Sequence, residues 1–292
     1  MISEAPPPLA LKRTVMRRLM SNRSAVAAIA LLLAVVIPCA AAPLFASYDP
    51  AAVDADFVAQ KSLPPSPAHP FGTDPSSRDV FSRVLYGGRL SLSIALVATL
   101  VSITLGTAYG AVAGFAGGLV ESVMMRILDA LLSIPRLLLL IAVFAAWRPV
   151  PHTAFIMIVG FTGWYGLSRV VRGQVLAIKG EEFVLSARAL GAGGARILVR
   201  HILPNVLTPV IVAAALGVGR VILLEAGLSY LGVGLPIPEP SWGNIIEEGG
   251  GQFVQLWWMF FFPGMAIILT VMAFNVLGDA LREALEPRSA RT

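Results

Sequence analysis

Long stretches of this chain carry no charged side chain. Residues 24–48 and 90–120 contain no Asp, Glu, Lys or Arg. A helix crosses the hydrocarbon core with about 20 apolar residues, so either run is long enough. Four more apolar segments follow, near 119–147, 153–171, 206–231 and 259–277. Inside lipid every backbone N–H and C=O must pair within the protein, which leaves the helix as the form available to such segments. The sequence therefore predicts an all-α polytopic membrane protein with six transmembrane helices. With 57% hydrophobic and 13% charged residues and a mean hydropathy of +0.78, a soluble globular domain is excluded. The net charge of +5 gives no sign of nucleic-acid binding, because the basic residues lie beside the apolar runs.

Those basic residues set the sidedness. The lead segment 1–23 carries Lys12, Arg13, Arg17, Arg18 and Arg23, and Arg169, Arg172 and Lys179 follow the fourth span. Positive charge marks cytoplasmic segments. Counting crossings from a cytoplasmic N-terminus puts the central polar loop on the same side. The rival reading of the first run is a cleaved signal peptide ending at Ala40-Ala41-Ala42, but Pro43 makes a poor cleavage context. The expected order is a cytoplasmic tail 1–23, a first transmembrane helix 24–48, an outer loop 49–88 and a five-helix core 89–282. A cytoplasmic tail 283–292 closes the chain.

The outer loop is acidic, with Asp54 and Asp56, and Pro-rich. Asp74-Pro75 reads as N-cap and first turn of a helix. Val80, Phe81, Val84 and Leu85 would form its apolar face, with Arg78, Asp79, Ser82 and Arg83 opposite, as in a helix lying in the interface. Gly106, Gly110 and Gly114 recur every four residues and make a smooth stripe for close helix packing. Arg126 and Asp129 are i, i+3 neighbours that can pair, and Pro135 predicts a kink in the third span. Arg148 to Pro151 reads as a tight turn. Arg220 and Glu225, five apart in the fifth span, would each need a partner on another helix. Glu239, Glu247 and Glu248 place the loop 233–255 outside. Ser241 can cap a short helix starting at Trp242, and Trp257-Trp258 reads as an aromatic belt. The lone Cys39 excludes an internal disulfide and reads as a packing residue.

The polar stretch 181–205 is the long charged interruption of the second half. As a helix, residues 182–190 place Phe183, Ser186, Ala187 and Leu190 near one face. Gly191 reads as its stop. A second helix from about Ala195 to Leu203 carries Arg196 and Arg200, and Pro204 opens the next apolar segment. Two short helices joined at glycine form a rigid knob whose small residues admit a close partner. Ser186, Ala187, Gly191, Leu203 and Pro204 resemble, at matching spacing, the EAA loop of ABC importer permeases: E-A-A, three residues, G, nine residues, I-x-L-P. Leu185 stands where that pattern has glutamate, and His201 where it has isoleucine. The run ARALGA…RHILPN is similar to the dipeptide and oligopeptide branch. So are HPFGTDPSSRD, with Ser77 in place of the usual glycine, and ILLEAGLSYLGVG, which contains Glu225.

This resemblance, over about residues 70–288, implies the type I ABC importer permease fold in the bacterial inner membrane. It implies a second, homologous permease chain, two separate ATPase chains and a periplasmic or lipid-anchored solute-binding protein, with membrane lipid around the spans. In the cytoplasmic loop 173–204 it implies ATPase coupling by Glu181, Glu182, Ser186, Ala187, Arg188, Gly191, Arg196, Leu203 and Pro204. Outside, it makes Asp74, Arg78, Asp79, Glu225 and Trp242 candidates for gating. The loop 233–255 would dip back towards the pathway, and LREALEPR would form a closing helix ended by Pro287. Di- or oligopeptides are the implied solutes, with nickel, glutathione and opine-like compounds as alternatives. No phosphate loop, H-E-x-x-H or CxxC occurs, so no catalytic, cofactor or metal residue is expected here. ATP and Mg²⁺ would belong to the partner ATPases. A reading from another class is an ion-coupled secondary transporter using Arg126, Asp129, Arg220 and Glu225 as relay.

Overall fold

Backbone pairing within each apolar run builds helices along nearly the whole chain. The computed structural model describes residues 16–53, 61–147, 149–235 and 239–285. Lys12, Arg13, Asp54, Asp56, Arg148 and Pro287 lie outside them. The helices are α1 (Arg23–Ala40), α2 (Ala42–Phe45), α3 (Val80–Ala116), α4 (Gly118–Leu132), α5 (Arg136–Ala146) and α6 (His152–Gly163). They continue with α7 (Tyr165–Ile178), α8 (Glu182–Ala189), α9 (Gly194–Ile197), α10 (Leu203–Tyr230), α11 (Trp242–Glu248) and α12 (Trp257–Leu285). A π turn, Leu198–Ile202, joins α9 to α10. Among the described residues the sole β feature is one bridge between Thr73 and Asp79.

Four helical runs are long and apolar enough to cross a membrane: α1, α3, Gly194–Tyr230 and α12. Two bent pairs bring the number to six: α4–α5, turned by 69°, and α6–α7, turned by 41°. The first bend stands at Pro135, which has no N–H to continue the ladder.

α3 is the central element. Its glycine stripe meets the backbone of α7. A Cβ at Gly106, Gly110 or Gly114 would fall 2.9, 2.3 and 2.9 Å from the carbonyl oxygens of Trp164, Ser168 and Arg172. α10 packs on α3 and α12, and α1 on α3 and α12. At one end a large core gathers Val80, Leu92, Phe155, Trp242 and Met259. At the other, a smaller core joins Ala111, Val171, Val175, Val184, Ile197 and Val206.

Several sequence expectations need correction. The helix after the first outer loop is no separate interfacial helix: it is the first turns of the 37-residue α3, with Val80, Ser82, Arg83, Val84 and Leu85 all buried. Its N-cap is Asp79, which accepts from the Ser82 amide at 2.7 Å, rather than Asp74. Asp74 Oδ1 instead accepts from the amides of Ser76 (2.7 Å) and Arg78 (2.9 Å), and so closes a turn ahead of the helix. Asp129 pairs with Arg169 across to α7 at 2.5 Å and not with its neighbour Arg126. Trp258 does not face lipid, because it is buried and donates from Nε1 to the Thr73 carbonyl at 3.0 Å. The first span stops at Ala40, and the closing helix is continuous with α12.

Candidate functional site

The knob is built from local signals. α8 starts after Glu181 and ends at Ala189 with Leu190 as its C-cap, and Gly191 follows at φ +81°, a conformation glycine adopts without steric cost. The Gly191 amide donates to the Arg188 carbonyl and the Ala192 amide to that of Ala187, 3.0 and 3.1 Å, which closes the turn. Val184 on α8 and Ile197 on α9 are the anchors: both are buried in the smaller core. Phe183, Leu185, Ser186, Arg188 and Arg196 are exposed, Ala187 is half-buried, and Leu190 is 89% exposed. The knob thus presents an apolar tip edged by Glu181, Glu182, Arg188 and Arg196. The second short helix does not stop at Leu203: through the π turn it runs directly into α10. Pro204 stands directly after the π turn, where it removes one ladder hydrogen bond from the continuing helix, and Asn205 donates from its side chain to the His201 carbonyl at 2.6 Å. The knob is therefore continuous with the span Gly194–Tyr230. Lys179 ties the same region to the end of α3, donating to the Gly114 carbonyl at 3.1 Å.

At the opposite end of α3 and α10 lies a buried ion cluster. Arg83 on α3 donates from Nη1 to Asp74 Oδ2 at 2.5 Å and to Glu248 Oε2 at 2.6 Å, and from Nη2 to Glu248 Oε1 at 2.8 Å. Arg78 adds a bond from Nε to Asp74 Oδ2 at 2.7 Å and a second ion pair with Glu248. His69 Nδ1 stands 2.9 Å from Asp79 Oδ1. Two guanidinium groups face two carboxylates, so the desolvated charges cancel, the condition under which such burial is tolerated. The cluster fastens the segment before α3 to α11. Asp74, Arg78 and Asp79 are thus brought into one layer. Arg83 and Glu248 complete it, although the sequence placed Arg83 on a solvent-facing side.

α11 is set into the bundle. Ser241 and Asn244 form a reciprocal cap, and Trp242 is fully buried, donating from Nε1 to the Val84 carbonyl at 3.0 Å. Glu225, 1% exposed, accepts from Ser91 Oγ at 3.0 Å and Ser229 Oγ at 2.8 Å. Ser91 Oγ also receives the Trp242 amide at 3.3 Å, so Glu225 supports α11 through α3. The four residues of the ion-relay reading are not brought together: Asp129 pairs with Arg169, and Glu225 with serines.

Between α3, α6, α7 and α10 lies a cavity of about 750 Å³. Arg136, Arg220 and Arg282 reach it, with Thr99, Ser102 and Thr208. Arg136 is held by bonds from Nε to Thr162 Oγ1 (3.2 Å) and from Nη2 to the Val159 carbonyl (2.8 Å). In the sequence it is an ionisable residue within the third span, beside the kink proline Pro135.

Comparison with known proteins agrees with this architecture. Residues 106–291 match the family described as binding-protein-dependent transport system inner membrane component. Residues 11–65 match the N-terminal TM domain of oligopeptide transport permease C. The dipeptide transport system permease protein DppC of Bacillus subtilis (strain 168) is 40% identical over 98% of this chain and 88% of its own length. The oligopeptide transport system permease protein OppC of that strain is 37% identical, over 96% and 90% respectively. OppC of Haemophilus influenzae (strain ATCC 51907 / DSM 11121 / KW20 / Rd) is 38% identical over 93% and 87%. With multi-pass helices and a family match across most of its length, this chain belongs to the family of inner-membrane permease components of binding-protein-dependent transport systems.

Proposed function

We propose that the chain is one of two homologous permease subunits of an ABC importer for di- or oligopeptides. The peptide relatives named above support the solute class. The observation that carries the coupling role is the apolar tip of the knob. Leu190 is 89% exposed and Phe183, on one face of α8 with it, is about half exposed, while the anchors Val184 and Ile197 are fully buried. Exposed apolar surface on a rigid mount suits a partner's groove. ATP and Mg²⁺ bind in the separate ATPase chains. Closure of those chains displaces the knob as a body, and the continuous helix Gly194–Tyr230 carries the movement along the span. At the far end of that span stand Glu225 and the α11 wedge, which the displacement loosens or seats. Ser186 and Ala187 permit close approach; Glu181, Glu182, Arg188 and Arg196 contribute polar contacts; Gly191 sets the angle between the two helices. In this reading the knob and both termini are cytoplasmic. The segments 49–88 and 233–255 are periplasmic and meet the solute-binding protein.

The test is uptake in cells lacking this chain, supplied with labelled dipeptide, tripeptide or nickel. Complementation uses the intact protein or Leu190→Asp. Peptide uptake restored by the intact chain alone supports both solute and coupling. Equal restoration by both would remove the coupling role, and a deficit confined to nickel would remove the peptide assignment.

A further inference from the structure

The cavity between α3, α6, α7 and α10 carries an unusual charge balance. Three arginines line it and, among the described residues, no Asp or Glu does. Arg220 is exposed to it and makes no hydrogen bond or ion pair among the described residues. Arg136 has Nε and Nη2 committed to Thr162 and Val159, which holds its guanidinium at the wall near Ser102 and Gly163. Both arginines lie within segments read as spans. A guanidinium keeps its proton in proteins, and an ionised side chain at membrane depth is costly unless it meets water or an opposite charge. Glu225, one turn and a half further along α10, is engaged with serines and does not line the cavity. Arg136 and Arg220 thus stand in a space whose lining, among the described residues, holds no carboxylate.

The volume falls within the range of about 300–1,000 Å³ typical of small-ligand sites. Across peptides of differing side chains, two charged groups recur: the terminal ammonium and the terminal carboxylate. A wall with arginines and no carboxylate selects the second. The planar fork of a guanidinium matches a carboxylate with two parallel hydrogen bonds, and the hydroxyls of Thr99 and Thr208 can supply further ones, whereas Ser102 already donates to the Gly160 carbonyl at 2.8 Å. We infer that Arg220 and Arg136 form an intramembrane site that takes the C-terminal carboxylate of a peptide in transit. The inference rests on the peptide reading above and adds a recognised chemical group and the residues that hold it. Side-chain sequence is left unread at this site, which suits a carrier of varied peptides.

The experiment uses the assembled transporter with its partner chains and binding protein in vesicles. Uptake of alanyl-alanine is compared with uptake of its C-terminal amide, and the binding protein's own affinity for each is measured separately. The wild type should favour the free acid beyond the binding protein's preference. Arg220→Gln and Arg136→Gln should lower free-acid uptake about tenfold, the scale of one lost charge-assisted hydrogen bond, and leave amide uptake nearly unchanged. Arg220→Lys should recover part of the loss, and co-purification with the partner chains reports assembly of each variant. Equal loss for acid and amide would overturn the inference in favour of a contact between subunits. No loss for either would overturn it too. So would a loss that appears only in vesicles containing phosphatidylglycerol and not in phosphatidylcholine alone, since the anion would then be lipid. Should the wild type import nickel and neither peptide, the peptide reading itself falls. Peptide import indifferent to both arginines removes only the carboxylate site.

Discussion

Arg83 and Glu248, 165 residues apart in the chain, meet in a two-pronged ion pair of 2.6 and 2.8 Å that binds the start of α3 to the end of α11. The guanidinium is fully buried. Such a pair holds two elements in one relative orientation, and its strength depends on both partners being present.

Removal of one partner leaves an uncompensated charge. Glu248→Ala should destabilise the protein by about 3–5 kcal/mol, the usual cost of breaking a buried pair from one side. The double variant Arg83→Met with Glu248→Leu leaves Asp74 and Arg78 balanced and should recover most of that loss. Thermal unfolding in detergent checks this; equal stability of single and double variants would show that the pair is not coupled.

The contact between α3 and α7 depends on the absence of a side chain. A Cβ at Gly110 would stand 2.3 Å from the Ser168 carbonyl oxygen. Gly110→Ala should push the helices apart and cost about 1–3 kcal/mol. At Gly173 on α7 nothing lies within 4 Å, so Gly173→Ala should be neutral or slightly stabilising. The two midpoints, measured side by side, separate packing from helix propensity.

Leu190→Asp changes a side chain that is almost wholly outside the fold. Stability should stay within about 0.5 kcal/mol of the parent. Transport, and stimulation of the partner ATPases, should fall together if the apolar tip seats in them. Normal ATP-driven uptake by this variant would contradict that seating.

Glu225 is the acceptor for two buried hydroxyls. Glu225→Leu strands Ser91 and Ser229, at about 1–3 kcal/mol for each unsatisfied group, and frees the anchor beneath Trp242. Glu225→Gln keeps one acceptor and should lose less. Hydrogen exchange at the Trp242 and Asn244 amides is the readout: faster exchange in the Leu variant than in the Gln variant is expected, and unchanged protection in both would detach Glu225 from α11.

Much of this architecture was legible in the chain itself. The spans followed from apolar runs because lipid admits no unpaired backbone. The break at Gly191, the cap at Ser241 and the bend at Pro135 were readable because each depends on residues adjacent in sequence: a positive φ, a hydroxyl three residues from an amide, a missing N–H. The glycine stripe showed that a helix packs there, although not that α7 would be the one.

Partner choice between distant residues was decided by the tertiary structure. Arg83 looked solvent-facing beside Ser82, and entered the core because Asp74 and Glu248 arrive there from separate segments. Asp129 had Arg126 as the near candidate and found Arg169 on α7 instead. Val184, unremarked among small residues, became the anchor of the knob because the smaller core lies beneath it. Local spacing ranks neighbours a turn away, whereas ion pairing and burial depend on distance in space, which the packing of whole helices sets.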